Sequence, residues 1–272
     1  MLNNHNRAIV LGAGASMREG LWDKPISEMP LWSAIKSECT FGTNSIFEFY
    51  TPTVLTFVDY WFHSSHKKRL DKLPLIIGAD HPNKKKAPKG DNLTLLPTSG
   101  TTYYGRNSFE RVLKETENGR RKVMRAGIYN SQLAGIFTLT LAIALGFKEI
   151  YLLGFDFGGK GKTHFYQEDD ISKQVVGVNV KDKKKVSGIG RDEDGNYKTS
   201  CYSNDDPRIY FDAYKEETKR VHIYNVGLKS RINTFEKIDY PTFYRHLENN
   251  PEPILHARMR NDIRDFIEER IK

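Results

Sequence analysis

Apolar positions along this chain fall into short continuous runs of strand length, separated by stretches with helical spacing or by polar loops. Ala8–Leu11, Thr40–Thr43, Val54–Val58, Leu75–Ile77 and Leu93–Leu96 each predict a strand, and Ile150–Leu153 is a continuous apolar strand of the kind found inside a parallel sheet. Between Gln132 and Leu145 the apolar residues run nearly all round a helix, and Gly146 supplies a stop. Helix and strand then follow each other directly, and the strand ends at Gly154 and Asp156, which sets one carboxylate at the carboxyl edge of the sheet. On position alone that acid is either a site residue or the cap of the next loop. A further helix is predicted around Tyr210–Lys219, a strand around Val221–Tyr224, and a closing amphipathic helix with the stripe Leu255, Met259, Ile263, Phe266, Ile267 and Ile271.

The alternation predicts an α/β protein: a Rossmann-like, mostly parallel sheet with helices on both faces. The polar segment from Gly158 to Pro207 is too long for a structureless loop in a compact domain, so it reads as a lid or insertion. The expected division is 1–157 as the α/β core, 158–207 as the lid or insertion, and 208–272 as completion of the core with the C-terminal helix. With 272 residues and 38% hydrophobic content, one large domain with an insertion fits. Cys39 and Cys201 form neither a disulfide framework nor a zinc spacing. No apolar run reaches membrane-spanning length free of polar residues, and no signal peptide opens the chain, so a reducing, cytoplasmic setting is expected.

Charge adds a class of partner. The chain carries 42 Lys and Arg against 34 Asp and Glu, a net +8, which favours polyanions such as nucleotides or nucleic acid. The excess clusters at Lys67, Lys68, Arg69, Lys72, Lys84, Lys85, Lys86 and Lys89, and again at Arg120, Arg121, Lys122 and Arg125. No recognised nucleic-acid module accompanies them, and each run also reads as a solvated surface.

The turn Gly12-Ala13-Gly14-Ala15-Ser16 follows the first strand directly, where backbone N–H groups and a helix start can hold an anion. Met17 stands where a dinucleotide fingerprint needs its third glycine, and Asn44 stands where that fold needs an acid, so an NAD enzyme is not indicated. Asp192 and Asp194 form a metal-type pair, but in a hydrophilic stretch close to Lys181–Lys185. No metal is expected.

Four blocks, IVLGAGAS, TFGTNSIFEFYTPTVLTFVDYWF, LAIALGFKEIYLLGFDF and IYNVGLKSRINTF, occur in this order. Through them the chain resembles the bacterial lipooligosaccharide sialyltransferases, glycosyltransferase family forty-two, and shares its core pattern with the 6-hydroxymethylpterin diphosphokinase MptE-like family. The resemblance implies a sialyltransferase-like GT-A variant that takes a nucleotide-sugar as substrate and uses neither metal nor other cofactor. Carried over position by position, it implies that Gly12, Ala13, Gly14 and Ser16 border the nucleotide, with Ala13 in place of a family Asn. Asn44 falls on a family Asn in the donor pocket, and Asp59 falls on another Asn position. Gly135 and Asp156 match the central helix and strand-end acid, and Ser230 matches a serine beside the leaving phosphate.

The departures bear on chemistry. Ser203 stands where the family's lid carries its general-base His, Gly158 stands at a tyrosine position, and Ser131 replaces an acceptor-side Arg. His164 and Tyr166 are the available groups for the leaving phosphate, and Asp205, Asp206 or Asp156 itself for the base. These departures leave the transferred sugar open among hexosyl, pentosyl and sialyl groups, and the base of the nucleotide open as well.

A glycosyltransferase transferring to a hydroxyl acceptor is the favoured reading. The acceptor is either a saccharide or, as in virus-encoded (phage-type) DNA modification, DNA with a hydroxylated base, held through Lys67, Lys68, Arg69, Lys84, Lys85, Lys86, Arg120 and Arg121. A pterin-type pyrophosphokinase using ATP or GTP with magnesium, and a non-catalytic nucleic-acid-binding protein, are the alternatives.

Overall fold

A computed structural model of the chain describes residues 5–20, 29–80, 87–99, 111–115, 121–125, 127–129, 133–156, 189–191, 197–199 and 207–271. Its centre is a nine-stranded sheet in which every strand pairing is parallel. In chain order the strands are β1 (Arg7–Leu11), β2 (Thr40–Thr43), β3 (Val54–Phe57), β4 (Ile76–Asp80), β5 (Leu93–Ser99), β8 (Ile128–Tyr129), β9 (Glu149–Leu153), β12 (His222–Val226) and β13 (Glu236–Ile238). Two antiparallel pairs stand apart from it: β6 (Arg111–Glu115) with β7 (Arg121–Arg125), and β10 (Ile189–Arg191) with β11 (Tyr197–Thr199).

Across the sheet the order is β13-β12-β9-β1-β2-β3-β4-β5-β8. From β1 the chain winds outward through β2 to β5; from β9 it winds the other way through β12 and β13. The direction of winding reverses between β1 and β9, and in an open α/β sheet that reversal opens a crevice beyond the carboxyl ends of the two strands.

Both faces are covered, which is why the strands read as unbroken apolar runs. Ala8 and Val10 of β1 and Ile150 and Leu152 of β9 face α3 (Ala134–Leu145) and α5 (His256–Ile271). Ile9 and Leu11, with Tyr151 and Leu153, face α1 (Pro30–Ile35) and α4 (Tyr240–Asn249). On that second face α2 (Tyr60–Leu70) packs over Leu55, Phe57 and Ile76. The helix α3 is apolar on all sides because it lies between the sheet and other core residues; from Ile136 to Leu145 every residue is buried. Its polar members are satisfied locally, Thr138 Oγ1 bonding Ala134 O and Thr140 Oγ1 bonding Ile136 O. Gly146 ends the helix at φ 97°, as its sequence position predicts.

Two predicted helices differ. The turn after Gly14 forms a 3-10 segment, Ala15–Gly20, and the region around Tyr210–Lys219 forms two more, Pro207–Tyr214 and Glu217–Lys219. Leu255 lies outside the buried stripe of α5, 75% exposed and one residue ahead of the helix, whereas Met259, Ile263 and Ile267 are buried. Cys39 is a free, buried thiol; Cys201 lies outside the described residues. Among the described residues no helix is long and apolar enough to cross a membrane.

The amino edge of the sheet carries a buried ionic clasp. The Arg7 guanidinium, 1% exposed, donates to Glu149 at 3.1 Å, Glu38 at 3.3 Å and the carbonyl of Asn250 at 2.6 Å. It ties β1, β9 and the segment between α4 and α5 together at the edge opposite the crevice.

Candidate functional site

At the crevice the ends of β1 and β9 stay in contact beyond the last paired residues. Gly12 N–H donates to Leu153 O at 2.7 Å and Gly14 N–H to Gly154 O at 2.9 Å. Side chains are excluded here. A Cβ on Gly12 would stand 2.6 Å from Gly154 O, and one on Gly14 would stand 2.5 Å from both Gly154 O and Asp156 Oδ2. Gly154 itself takes φ +72°, with Gly12 O and Gly14 N each 2.9 Å from where its Cβ would be. The glycine turn is thus required by the close approach of two strand ends, a demand independent of any ligand.

That approach brings Asp156 to the turn. Its Oδ2 accepts from Ser16 N–H at 2.8 Å, and the Ala15 amide adds a second stabilising contact. Its backbone carbonyl accepts from Arg231 N–H at 2.9 Å, so the loop after β12 also grips it. Burial is the largest influence on the carboxyl group and raises its pKa, while the Ser16 and Ala15 contacts pull it back. The second oxygen, Oδ1, is buried and has no hydrogen-bond partner among the described residues. Ser16 Oγ is likewise buried and unpartnered, near enough to Asp156 to favour its ionised form but out of hydrogen-bond geometry.

The remaining sequence-predicted residues fall as follows. Ala13 is half-buried, packed toward the cluster beneath α4. Asn44 ends β2 at the carboxyl edge, exposed, with φ +46°; it is the one non-glycine residue with positive φ among those described. Asp59 ends the loop after β3, exposed, at the N-cap of α2, and its side chain makes no capping bond. Gly135 opens α3 against the ring of Phe155, where a Cβ would stand 2.6 Å from Cε1. Ser230 is 3% exposed and fully engaged: its hydroxyl donates to Phe155 O at 2.7 Å and accepts from Asn225 Nδ2 at 2.7 Å and Ile232 N–H at 3.2 Å. It staples the β12–β13 loop to the end of β9. His164, Tyr166, Asp205 and Asp206 lie outside the described residues, as do Ser203 and the Asp192–Asp194 pair. Gly12, Gly14, Ser16, Gly135, Asp156 and Ser230 converge on one strand end; Asn44 and Asp59 lie along the same edge over β2 and β3.

Of the basic residues, Lys67, Lys68, Arg69 and Lys72 lie at the end of α2. That helix starts at the carboxyl edge and runs back toward the amino edge, so this cluster stands away from the crevice. Lys67 pairs with Asp71 at 2.8 Å, and Arg69 pairs with Glu48 and lies over the Phe47 ring. Arg121 is on β7; Lys84, Lys85, Lys86 and Arg120 lie outside the described residues.

Sequence reasoning missed Tyr240, at the start of α4. It is 2% exposed, its hydroxyl has no partner among the described residues, and burial, then Tyr244, Asp156 and Glu19, raise its pKa. The signal was present in Asp239-Tyr240-Pro241: Asp239 caps α4 by accepting from Thr242 N–H at 2.8 Å, and Pro241 suits the first turn. Among the described residues no group of three or more His, Cys, Asp or Glu could hold a metal ion.

These features define a doubly wound α/β protein with a polar crevice at its switch point. Among solved structures the chain is similar to the monofunctional alpha-2,3-sialyltransferase Cst-I of Campylobacter jejuni, with a TM-score of 0.44 and 16% sequence identity over 86% of this chain and 80% of that one. No protein-family model and no curated protein sequence matches the chain.

Proposed function

We propose that the protein is a glycosyltransferase that moves a sugar from a nucleotide-sugar to a hydroxyl acceptor without a metal. The observation that carries this reading is the convergence of Gly14, Ser16 and Asp156 at the β1/β9 switch point, where α/β enzymes bind nucleotides. The four sequence blocks support it, since three of them supply the walls of this crevice.

In this reading Asp156 is a fixed anchor for the donor. The segment 158–207 is a lid over it, with Asp205 or Asp206 taking the proton of the acceptor hydroxyl as its oxygen attacks the anomeric carbon. His164 and Tyr166 stabilise the departing nucleotide phosphate. Asn44 and Asp59 extend the donor pocket along the edge, and Ser230 supports the floor through Phe155. The cationic end of α2 faces the opposite edge, which favours a saccharide acceptor over DNA laid across that helix.

The experiment is protection against thermal unfolding by CMP, UDP, GDP, ADP, ATP and GTP, each with and without magnesium. One nucleotide protecting without magnesium is the expected result. Protection by none sinks the proposal, and protection only with magnesium by ATP or GTP supports the pyrophosphokinase reading instead.

A further inference from the structure

The turn after β1 has the composition of a phosphate cradle, yet the amides of Gly12, Gly14, Ala15, Ser16 and Met17 are taken. Ser16 N–H and the Ala15 amide serve the Asp156 carboxylate, and a phosphate entering the turn would meet that carboxylate at close range. A group that binds here has to be neutral and has to donate hydrogen bonds.

The unpartnered atoms say the same. Ionised, Asp156 Oδ1 can accept but not donate; Ser16 Oγ and the Tyr240 hydroxyl both donate and accept. Ser16 is 6% exposed and Tyr240 is 2% exposed, and each is a polar group whose burial costs free energy until it is paired. Ser16 and Asp156 meet at one strand end, and Tyr240 lies within range of the Asp156 charge at the start of α4. Ser16 packs against Gly227 at the end of β12, where an added Cβ would stand 2.9 Å from its own Cβ, and Tyr240 is near enough to Asp156 and Glu19 for their charges to act on it.

We propose that Asp156 Oδ1, Ser16 Oγ and the Tyr240 hydroxyl form a recognition site for a vicinal diol of the nucleotide-sugar, leaving the phosphates to other parts of the crevice. The site rests on the nucleotide-sugar reading above, and supplies that reading with the group the turn holds. Adjacent hydroxyls match it because one donates to the carboxylate oxygen while the other exchanges hydrogen bonds with Ser16 and Tyr240. The diol belongs either to the ribose or to the transferred sugar.

The test uses the full chain and the nucleotide that protects it, measured by titration calorimetry alongside its 2′-deoxy and 3′-deoxy forms and its sugar conjugate. A ribose diol predicts that each deoxy form binds about tenfold or more weakly than the ribonucleotide, the worth of a hydrogen bond to a charged acceptor. In Asp156→Asn that discrimination collapses. A sugar diol predicts equal binding of the three nucleotides and a gain on adding the sugar that Asp156→Asn abolishes.

Tyr240→Phe and Ser16→Ala each remove one hydroxyl. Both are expected to weaken the discriminating ligand by about three- to tenfold, and Tyr240→Phe to leave the unfolding temperature unchanged or higher, since its hydroxyl has no partner among the described residues, whereas Ser16→Ala also withdraws a group that favours the ionised Asp156. If binding discriminates neither the ribose hydroxyls nor the sugar, the diol site is overturned while the transferase reading stands. If no nucleotide or nucleotide-sugar binds at all, the transferase reading fails and the diol site falls with it.

Discussion

Ser16 donates its backbone N–H to Asp156 Oδ2 at 2.8 Å, joining positions 140 residues apart in sequence. The bond forms only because β1 and β9 are adjacent in the sheet and their ends approach without side chains between them. It converts a turn that resembles an anion-binding loop into one that already contains an anion, the protein's own. The carboxylate is then fixed on one oxygen and offered on the other. A preorganised acceptor of this kind costs no reordering when a ligand arrives.

Gly14→Ala tests that packing. Its Cβ would have to displace either the Asp156 carboxylate or the Gly154 carbonyl, both at 2.5 Å, and the second is backbone. We expect a loss of about 2–4 kcal/mol of stability in denaturant titration, with nucleotide protection lost as well. A variant as stable as the parent would show that the strand ends are not locked as described.

The proposed donor site makes Asp156 the acid limit of binding. Burial raises its pKa above the ordinary aspartate value, so the ionised acceptor is lost at a higher pH than for an exposed carboxylate. Donor affinity should fall as pH drops through that raised value, and Asp156→Asn should remove the limb. Stability moves the other way. A carboxyl group with a raised folded pKa contributes stability below its unfolded pKa, and that contribution disappears as pH rises. Binding and unfolding measured on one pH series separate the two trends.

How far the fold was legible follows from which elements declare themselves locally. The strands β1, β3 and β9 and the helix α3 are largely apolar runs bounded by Gly, Asn or Asp, the short β2 is marked by the Asn44 that follows it, and the sequence-read limits of all five match within a residue or two. The pairs β6–β7 and β10–β11 lie in polar, charged sequence with no apolar alternation to mark them. The helix α2 reads as HSSHKKRL after its aromatic start and buries only one side, so its pattern is weak. At the site, Asp156 and the glycines were visible because strand ends are marked by composition. What stayed hidden was pairing: that the glycine turn is filled by Asp156, and that Tyr240 of α4 is within range of its charge, depend on the order of strands in the sheet. Ser230 shows the same limit, since its engagement by Phe155, Asn225 and Ile232 cannot be read from one loop.

Glu38 makes the amino-edge clasp sensitive to pH. Burial pushes its carboxyl group up to about 7, against the pull of Arg7. Between the ordinary glutamate value and 7 the folded state holds a proton that the unfolded state has released, so stability falls as pH rises through this window and levels off above it. We expect a decline of about 1–2 kcal/mol across that range, with Arg7 offsetting part of the displacement. Glu38→Gln should flatten the dependence, while Glu149 and the Asn250 carbonyl continue to hold Arg7. A wild-type curve that is flat from pH 4.5 to 7 contradicts this assignment.

Asn44 offers the sharpest separation of stability from function. Its φ of +46° lies in the left-handed region, where a side chain costs backbone energy and asparagine is tolerated better than most residues. Strain of this kind persists where the side chain has a use, and Asn44 stands exposed at the carboxyl edge of β2, next to the strand whose turn holds Asp156. Asn44→Gly relieves the strain and should leave the protein as stable or more stable by about 0.5–1 kcal/mol. Asn44→Ala keeps a Cβ without the local hydrogen-bonding group and should lose about 1 kcal/mol. If Asn44 contacts the donor, both variants weaken nucleotide binding to a similar extent despite their opposite effects on stability. If it serves only the turn, binding follows stability, and Asn44→Gly binds like the parent.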